Sequence, residues 1–249
     1  MAAGEEAAVE AASPMPDFAA VDAELDDRTA FLAGLRDTAF FEVEPLSTFA
    51  LDDAVLAPLA LSATARSTFV AATASLPRAS AGTAPTFALL RNALEGAAVT
   101  IWLLESDDPA VRAARLLSEV WGDIRDSDRL ATALNGALDS LPDQERGWKS
   151  AYAAIFGDDD PAPRQMPTAM ASKVDTAAAV VADFTQVAGV AAVVRSSWQA
   201  FGTLARGRSD AFELADGATG QAMTAGSRSL ALDVLETAAS LYHVRAVAP

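Results

Sequence analysis

The sequence contains no cysteine and a single histidine, His243, among its 249 residues. The absence of cysteine excludes disulfide bonds, thiolate metal ligands and thiol nucleophiles, and it fits a protein of the reducing cytoplasm. One histidine cannot build the His-containing zinc motifs, and it would be the sole candidate base for a Ser/His/Asp triad. The sequence also lacks Gly-x-Gly-x-x-Gly, Walker A and Gly-x-Ser-x-Gly motifs. We therefore expect no metal, no cofactor and no intact catalytic motif.

Positive charge is scarce as well, with 18 Lys and Arg against 34 Asp and Glu and a formal net charge of -16. Because such a field repels phosphate groups, and because no Lys/Arg-rich run is present, we expect no partner that is a nucleic acid or an anionic membrane. The longest apolar stretches, such as residues 96–104, are far shorter than the roughly 20 residues of a membrane-spanning helix. Residues 1–16 have acids where a signal peptide would have basic residues, and we predict a disordered acidic leader there.

The remaining sequence favours helix almost everywhere, because alanine is abundant and runs of β-branched or aromatic residues are scarce. Helical periodicity and Gly/Pro clusters predict an all-α bundle of about seven to eight helices with negligible strand, in one domain over residues 17–249. The loop at 157–167 is a possible internal boundary. The predicted helices span about 17–38, 52–76, 86–105, 109–138, 142–156, 168–184, 186–206 and 224–246.

The predicted helix at 86–105 is apolar around nearly its whole circumference, which is typical of a central, buried helix. Its charges before the terminal Glu105 are Arg91 and Glu95, which stand four residues apart and share one face. A buried charge is costly unless it is paired. We therefore expect the two side chains to pair with each other or with a neighbouring helix.

The predicted helix at 186–206 places Gln199 and Arg206 two turns apart on one face, with Gly202 between them. A glycine there would let another helix or a ligand approach the backbone. We predict a polar cluster of Arg91, Glu95, Gln199 and Arg206 in which Glu95 contacts Arg206. The cluster is either a structural ion pair or a site for an anionic small molecule.

Two stretches carry a resemblance to a known group of proteins. Residues 88–117, ALLRNALEGAAVTIWLLESDDPAVRAARLL, are similar to a recurring opening in uncharacterised bacterial all-helical proteins, with an Arg-x-x-x-Glu helix followed by an Arg-rich helix. Residues 198–208, WQAFGTLARGR, resemble a later helix of those proteins, with Gln199 where Arg is expected, Gly202 where Ser is expected and Arg206 where His is expected. The chain thus resembles the HEPN-like helical group.

The resemblance implies a homodimer, but not the activity of the group's ribonucleases, which use an Arg-x(4–6)-His motif. Gln199 cannot supply the charge of arginine, and Arg206 cannot act as a near-neutral acid or base, so we expect no ribonuclease activity. The leading hypothesis is a non-catalytic, cytoplasmic HEPN-like protein that acts through protein–protein contacts, with a second copy or another protein as partner. The alternative is an enzyme or a protein that binds a small molecule or anion at the Arg/Glu cluster.

Overall fold

A computed structural model describes residues 18–35, 57–76, 84–134, 136, 141–157, 169–206 and 217–247. These residues form helices and connections with no strand, which confirms the all-α prediction. The predicted leader at 1–16 and nearly all of the predicted boundary at 157–167 lie outside the described residues. The described part of the chain forms eight helices: α1 (Phe18–Leu35), α2 (Ala57–Ser75), α3 (Ala84–Leu104), α4 (Pro109–Ala133), α5 (Leu141–Phe156), α6 (Met170–Thr185), α7 (Val190–Ala205) and α8 (Gly217–Val247).

Two predicted helix starts are wrong, and both lie in segments that contain glycine. Helix α7 begins at Val190 instead of residue 186, because Gln186 and Gly189 adopt positive φ values of 55° and 82° and turn the chain after α6. Helix α8 begins at Gly217, earlier than the predicted residue 224, and continues through Gly220 and Gly226. Packing of α8 against α3 and α1 overrides the low helix propensity of these glycines.

Helix α3 is the central element of the bundle, as its apolar circumference predicts. It packs against α2, α4, α6, α7 and α8, and its residues Leu90, Leu94, Ile101 and Leu103 are fully buried. By length and composition α3 is also the one helix, within the described residues, that would be apolar enough to cross a membrane. In the bundle most of its surface is covered by neighbouring helices instead.

Helix α2 packs closely against α3, and Gly96 permits this contact. A Cβ atom on Gly96 would lie 2.8 Å from the Ala72 Cβ and 3.0 Å from the Thr68 carbonyl oxygen. The hydroxyl groups of Thr68 and Thr100 meet across the same contact at 2.9 Å. Small residues therefore bring the two backbones together, and the threonine pair satisfies the polar groups buried between them.

Arginine side chains cap the C-terminal end of α3, where the last carbonyl groups have no partner within the helix. Arg245 of α8 donates to the carbonyl oxygens of Leu104 at 3.0 Å and Glu105 at 2.9 Å. Arg115 of α4 donates to the Trp102 carbonyl and, at 2.8 Å, to the Glu105 carboxylate. These cations also oppose the partial negative charge of the helix end, and so they fix α4 and α8 to the same point of α3.

A third arginine, Arg112, holds the connection that follows α3. It is 3% exposed and donates to the carbonyl oxygens of Ser106 at 2.6 Å and Asp107 at 3.1 Å. Burial lowers the pKa of the Arg112 guanidinium, and the positive charge of Arg245 lowers it further. The local concentration of positive charge is thus balanced by carbonyl oxygens and by the carboxylates of this connection.

Ion pairs attach the N-terminal helix α1 to α8. Arg28 of α1 contacts Asp233 at 2.7 Å and Glu236 at 2.8 Å. The hydrogen bond to Glu236, with a smaller contribution from Asp233, raises the pKa of Arg28 above its usual value although burial opposes the shift. Another ion pair has its arginine on α8 and its carboxylate on α1: Arg228 contacts Asp26 at 2.6 Å. Reciprocal pairs of this kind fix the register of the two helices.

Helix α5 stands apart from the main core, because its principal contact is with α4. The two helices enclose a second, smaller apolar cluster that contains Leu117, Ile124, Trp148 and Tyr152. The Trp148 indole donates to the Leu117 carbonyl at 2.7 Å. The α4–α5 pair is therefore attached to the bundle through α4.

The close contact at Gly96 generates a prediction about stability. Gly96→Ala should lower the free energy of unfolding by about 1–3 kcal/mol, because the new methyl group overlaps atoms of α2 that cannot move independently. Gly226→Ala is the matched control, since a Cβ atom there meets nothing within 4 Å. That change should raise stability by about 0.5–1 kcal/mol through helix propensity. Urea unfolding followed by circular dichroism measures both, and equal stabilisation of the two variants would contradict the contact.

Candidate functional site

Arg91 and Glu95 form the predicted ion pair on α3, with 2.8 Å between the Arg91 Nε and the Glu95 Oε1. Both side chains are partly buried, at 28% and 22% exposure. The same carboxylate oxygen accepts a hydrogen bond of 2.8 Å from the indole Nε1 of Trp198 on α7. The Arg91 guanidinium lies 5.1 Å from the centre of the Trp198 ring. The three side chains therefore form a closed cluster, joined by an ion pair, a hydrogen bond and a cation–π contact.

Gly202 provides the space for this cluster. A Cβ atom on Gly202 would lie 1.8 Å from the Arg91 Nη1, so any other residue would displace the guanidinium. The Nη2 of Arg206 is 3.8 Å from the same position. The predicted close approach to the Gly202 backbone is thus made by an arginine of α3, and the two guanidinium groups share the space above this glycine.

The predicted contact between Glu95 and Arg206 is wrong. The pairing of Arg91 with Gly202 and of Glu95 with Trp198 means that α3 and α7 run antiparallel. Arg206 stands at the C-cap of α7, beyond Gly202, and therefore lies near the N-terminal side of Arg91, away from Glu95. Within the described part of the chain, no hydrogen bond or ion pair joins Arg206 to Glu95.

Gln199 is not part of the cluster either. Its side chain is exposed, and no hydrogen bond among the described residues joins it to Arg91 or Glu95. The residue of α7 that contacts Glu95 is Trp198, which precedes Gln199, and not the predicted Gln199. Its position in an apolar stripe predicted core packing, and the indole N–H supplies the hydrogen bond that a purely apolar residue could not.

The contacts within the Arg91–Glu95–Trp198 cluster are those of a structural ion pair. Glu95 accepts from two donors, and its charge is balanced by Arg91. Among the positions that the structure describes, no three His, Asp or Glu side chains come close enough to hold a metal ion. The geometry favours the structural interpretation of Arg91 and Glu95, in which the pair holds α7 in register on α3.

A second buried ionic group, which the sequence analysis missed, lies farther along α3. Lys173 of α6 is 5% exposed and pairs with Glu119 of α4, and its Nζ is 5.1 Å from the centre of the Trp102 ring. Arg115 approaches the same ring at 5.4 Å. Lys173 is the single basic residue of α6 and shares its buried face with valine and alanine only, and that isolation was the available sequence signal. The group ties α4 and α6 to the buried indole of α3.

An open cavity of about 370 Å³ lies between α4 and α5. Most of its wall is apolar, and the polar atoms lie towards Asp123, Ser127 and Gln144. The sequence analysis placed no site here, because the lining residues are separated by the connection between two helices and their spacing on each helix is that of an ordinary core face. The lining residues are Leu116, Leu117, Val120, Asp123, Ile124, Ser127, Gln144, Gly147, Trp148 and Ala151.

Comparison with known proteins adds no relative to this description. No family model, no curated protein and no solved structure matches the chain.

The corrected geometry predicts which pair of residues is energetically coupled. In a double-mutant cycle of Glu95→Ala with Trp198→Phe, the coupling should be about 1–2 kcal/mol, because the phenyl ring cannot donate to the partly buried carboxylate. A cycle of Glu95→Ala with Arg206→Ala should give less than about 0.5 kcal/mol. Denaturant unfolding followed by circular dichroism supplies all the values. The reverse order of the two couplings would restore the Glu95–Arg206 contact.

Proposed function

We propose that this chain is a non-catalytic, HEPN-like helical protein of the cytoplasm that acts through protein–protein contacts, and that its first partner is a second copy of itself. The observation that carries the proposal is a group of exposed apolar side chains where α6 turns into α7. Phe184, Val187 and Val193 are 60%, 58% and 51% exposed, and they lie within ten consecutive residues. Single exposed apolar residues are common, whereas clustered ones mark interaction surfaces.

The charge pattern supports the same surface as the contact between two copies. Each chain has a formal net charge of -16, so two copies repel each other. This repulsion is weakest when the surfaces that meet carry no acidic residues. Residues 184–209 contain no Asp or Glu, and Arg195 on the exposed side of α7 is paired at 2.6 Å with Asp175 of α6, so this pair adds no net charge to the surface. Another pair of exposed apolar residues, Leu130 near the end of α4 and Leu134 just after it, follows the acidic segment 123–128 and is less suited to self-association.

A twofold arrangement is the economical form of such a contact, because the same patch then meets itself and the assembly closes. The patch lies away from the Arg91–Glu95–Trp198 cluster in sequence, at the start of α7 instead of its middle. That cluster supports the patch indirectly, since it holds α7 against α3 and so fixes which side of α7 faces solvent.

The proposal predicts a dimer that a single charge at the patch dissociates. Val193→Glu should raise the dissociation constant at least about 100-fold, because dimerisation would bury an unpaired carboxylate. Val244→Glu on α8 is the matched control, since Val244 is also a half-exposed valine on a helix, at 55% exposure. Sedimentation velocity over a range of protein concentrations measures the association.

We expect wild type and Val244→Glu to sediment as dimers and Val193→Glu as a monomer with an unchanged circular dichroism spectrum. A wild-type protein that is monomeric at every concentration would contradict the homodimer. A dimer that Val193→Glu leaves intact would contradict the α6–α7 surface as its interface.

A further inference from the structure

The cavity between α4 and α5 has the dimensions of a ligand site. Its volume of about 370 Å³ lies in the range of small-molecule pockets, roughly 300–1,000 Å³, and is larger than the voids of ordinary helix packing. The wall combines Leu116, Leu117, Val120 and Ile124 of α4 with Trp148 of α5. Such a surface gains free energy when an apolar body displaces water from it.

Gly147 lines the exposed side of the cavity and leaves space there. It stands inside α5, where glycine costs about 1 kcal/mol relative to alanine, and a Cβ atom there would meet nothing within 4 Å. Stability and packing would both tolerate a larger residue at this position. Ala151, one turn later on the same face, is also small. The helix therefore presents a gap at the point where facing side chains of α4 and α5 would normally interdigitate.

Asp123 defines the charge that the cavity accepts. Its side chain is exposed at the edge of the apolar wall, and no Lys, Arg or His pairs with it among the described residues. The other polar side chains of the lining, Ser127 and Gln144, are neutral. The net charge of -16 adds a long-range attraction for cations. A ligand that fits this arrangement has an apolar body and one positively charged end.

We propose that the α4–α5 cavity binds a small amphiphilic cation, with its apolar body against Trp148 and its ammonium group at Asp123. The site is independent of the α6–α7 surface, because all of its lining residues belong to α4 and α5. It also differs from the anion site that the Arg/Glu cluster suggested, since its charged group is a carboxylate.

The test uses three probes that share one apolar body: 4-phenylbutylammonium, 4-phenylbutanol and 4-phenylbutyrate. Isothermal titration calorimetry on the full chain should show saturable binding of the ammonium, about five to ten times tighter than the carboxylate, with the alcohol between them. Asp123→Asn should bring the affinities of the ammonium and the alcohol together while leaving that of the alcohol unchanged.

Gly147→Leu should abolish binding of all three probes by filling the cavity. Because leucine is a better helix former than glycine and its Cβ has room, this variant should melt no lower than wild type, so loss of binding is separated from loss of fold. Gly226→Leu is the control, a helical glycine with equally open surroundings that lines no part of the cavity, and it should bind as wild type does. The proposal would be overturned if none of the three probes showed saturable binding, or if Gly147→Leu bound them as tightly as wild type. Tighter binding of 4-phenylbutyrate than of 4-phenylbutylammonium would also overturn it.

Discussion

Helix α3 is buried on every side from Ala97 to Leu104 and retains only a narrow, partly exposed stripe before that, and the arrangement of the other helices follows from this burial. Each helix that covers α3 has to supply either apolar side chains or partners for the few polar groups that α3 carries. Helix α7 supplies Trp198 to Glu95, and α2 supplies Thr68 to Thr100. At the C-terminal end, where the carbonyl groups have no partner within the helix, α8 supplies Arg245 as their donor. Polar contacts thus select the register that apolar packing alone would leave undetermined.

The two proposed binding surfaces, the exposed side of α7 and the α4–α5 cavity, both lie away from α3. The face of α7 opposite its contact with α3 is exposed and has no Asp or Glu of its own, and the nearby Asp175 of α6 is balanced by Arg195, which makes this face suited to association with a second copy. Helix α5 lies farther out, attached through α4, and it can accommodate the gap at Gly147 because the main core does not depend on it. A similar gap beside α3 would remove contacts from the most densely packed part of the bundle.

Local patterns in the sequence predicted the helices and the central position of α3, because apolar periodicity is a property of neighbouring residues. The Arg91–Glu95 pair was predictable for the same reason. Its partner was not, since the choice between Trp198 and Arg206 depends on α3 and α7 running antiparallel, which no local pattern contains. The cavity could not be predicted either. In the sequence Gly147 is only a residue of low helix propensity, and its place in a cavity wall depends on how α4 packs against α5. The early start of α8 depends on tertiary packing that overrides the propensity of Gly217 and Gly220.

Native-state hydrogen exchange measured residue by residue tests the central position of α3 most directly. If the bundle is organised around this helix, the buried amides of α3 should exchange only through global unfolding, with the free energy that denaturant titration gives for the whole chain. The amides of α5 should exchange through a local opening of lower free energy, because that helix can detach from α4 while the main core stays intact. Exchange of the α3 amides at or above the rate of those in α5 would contradict the account.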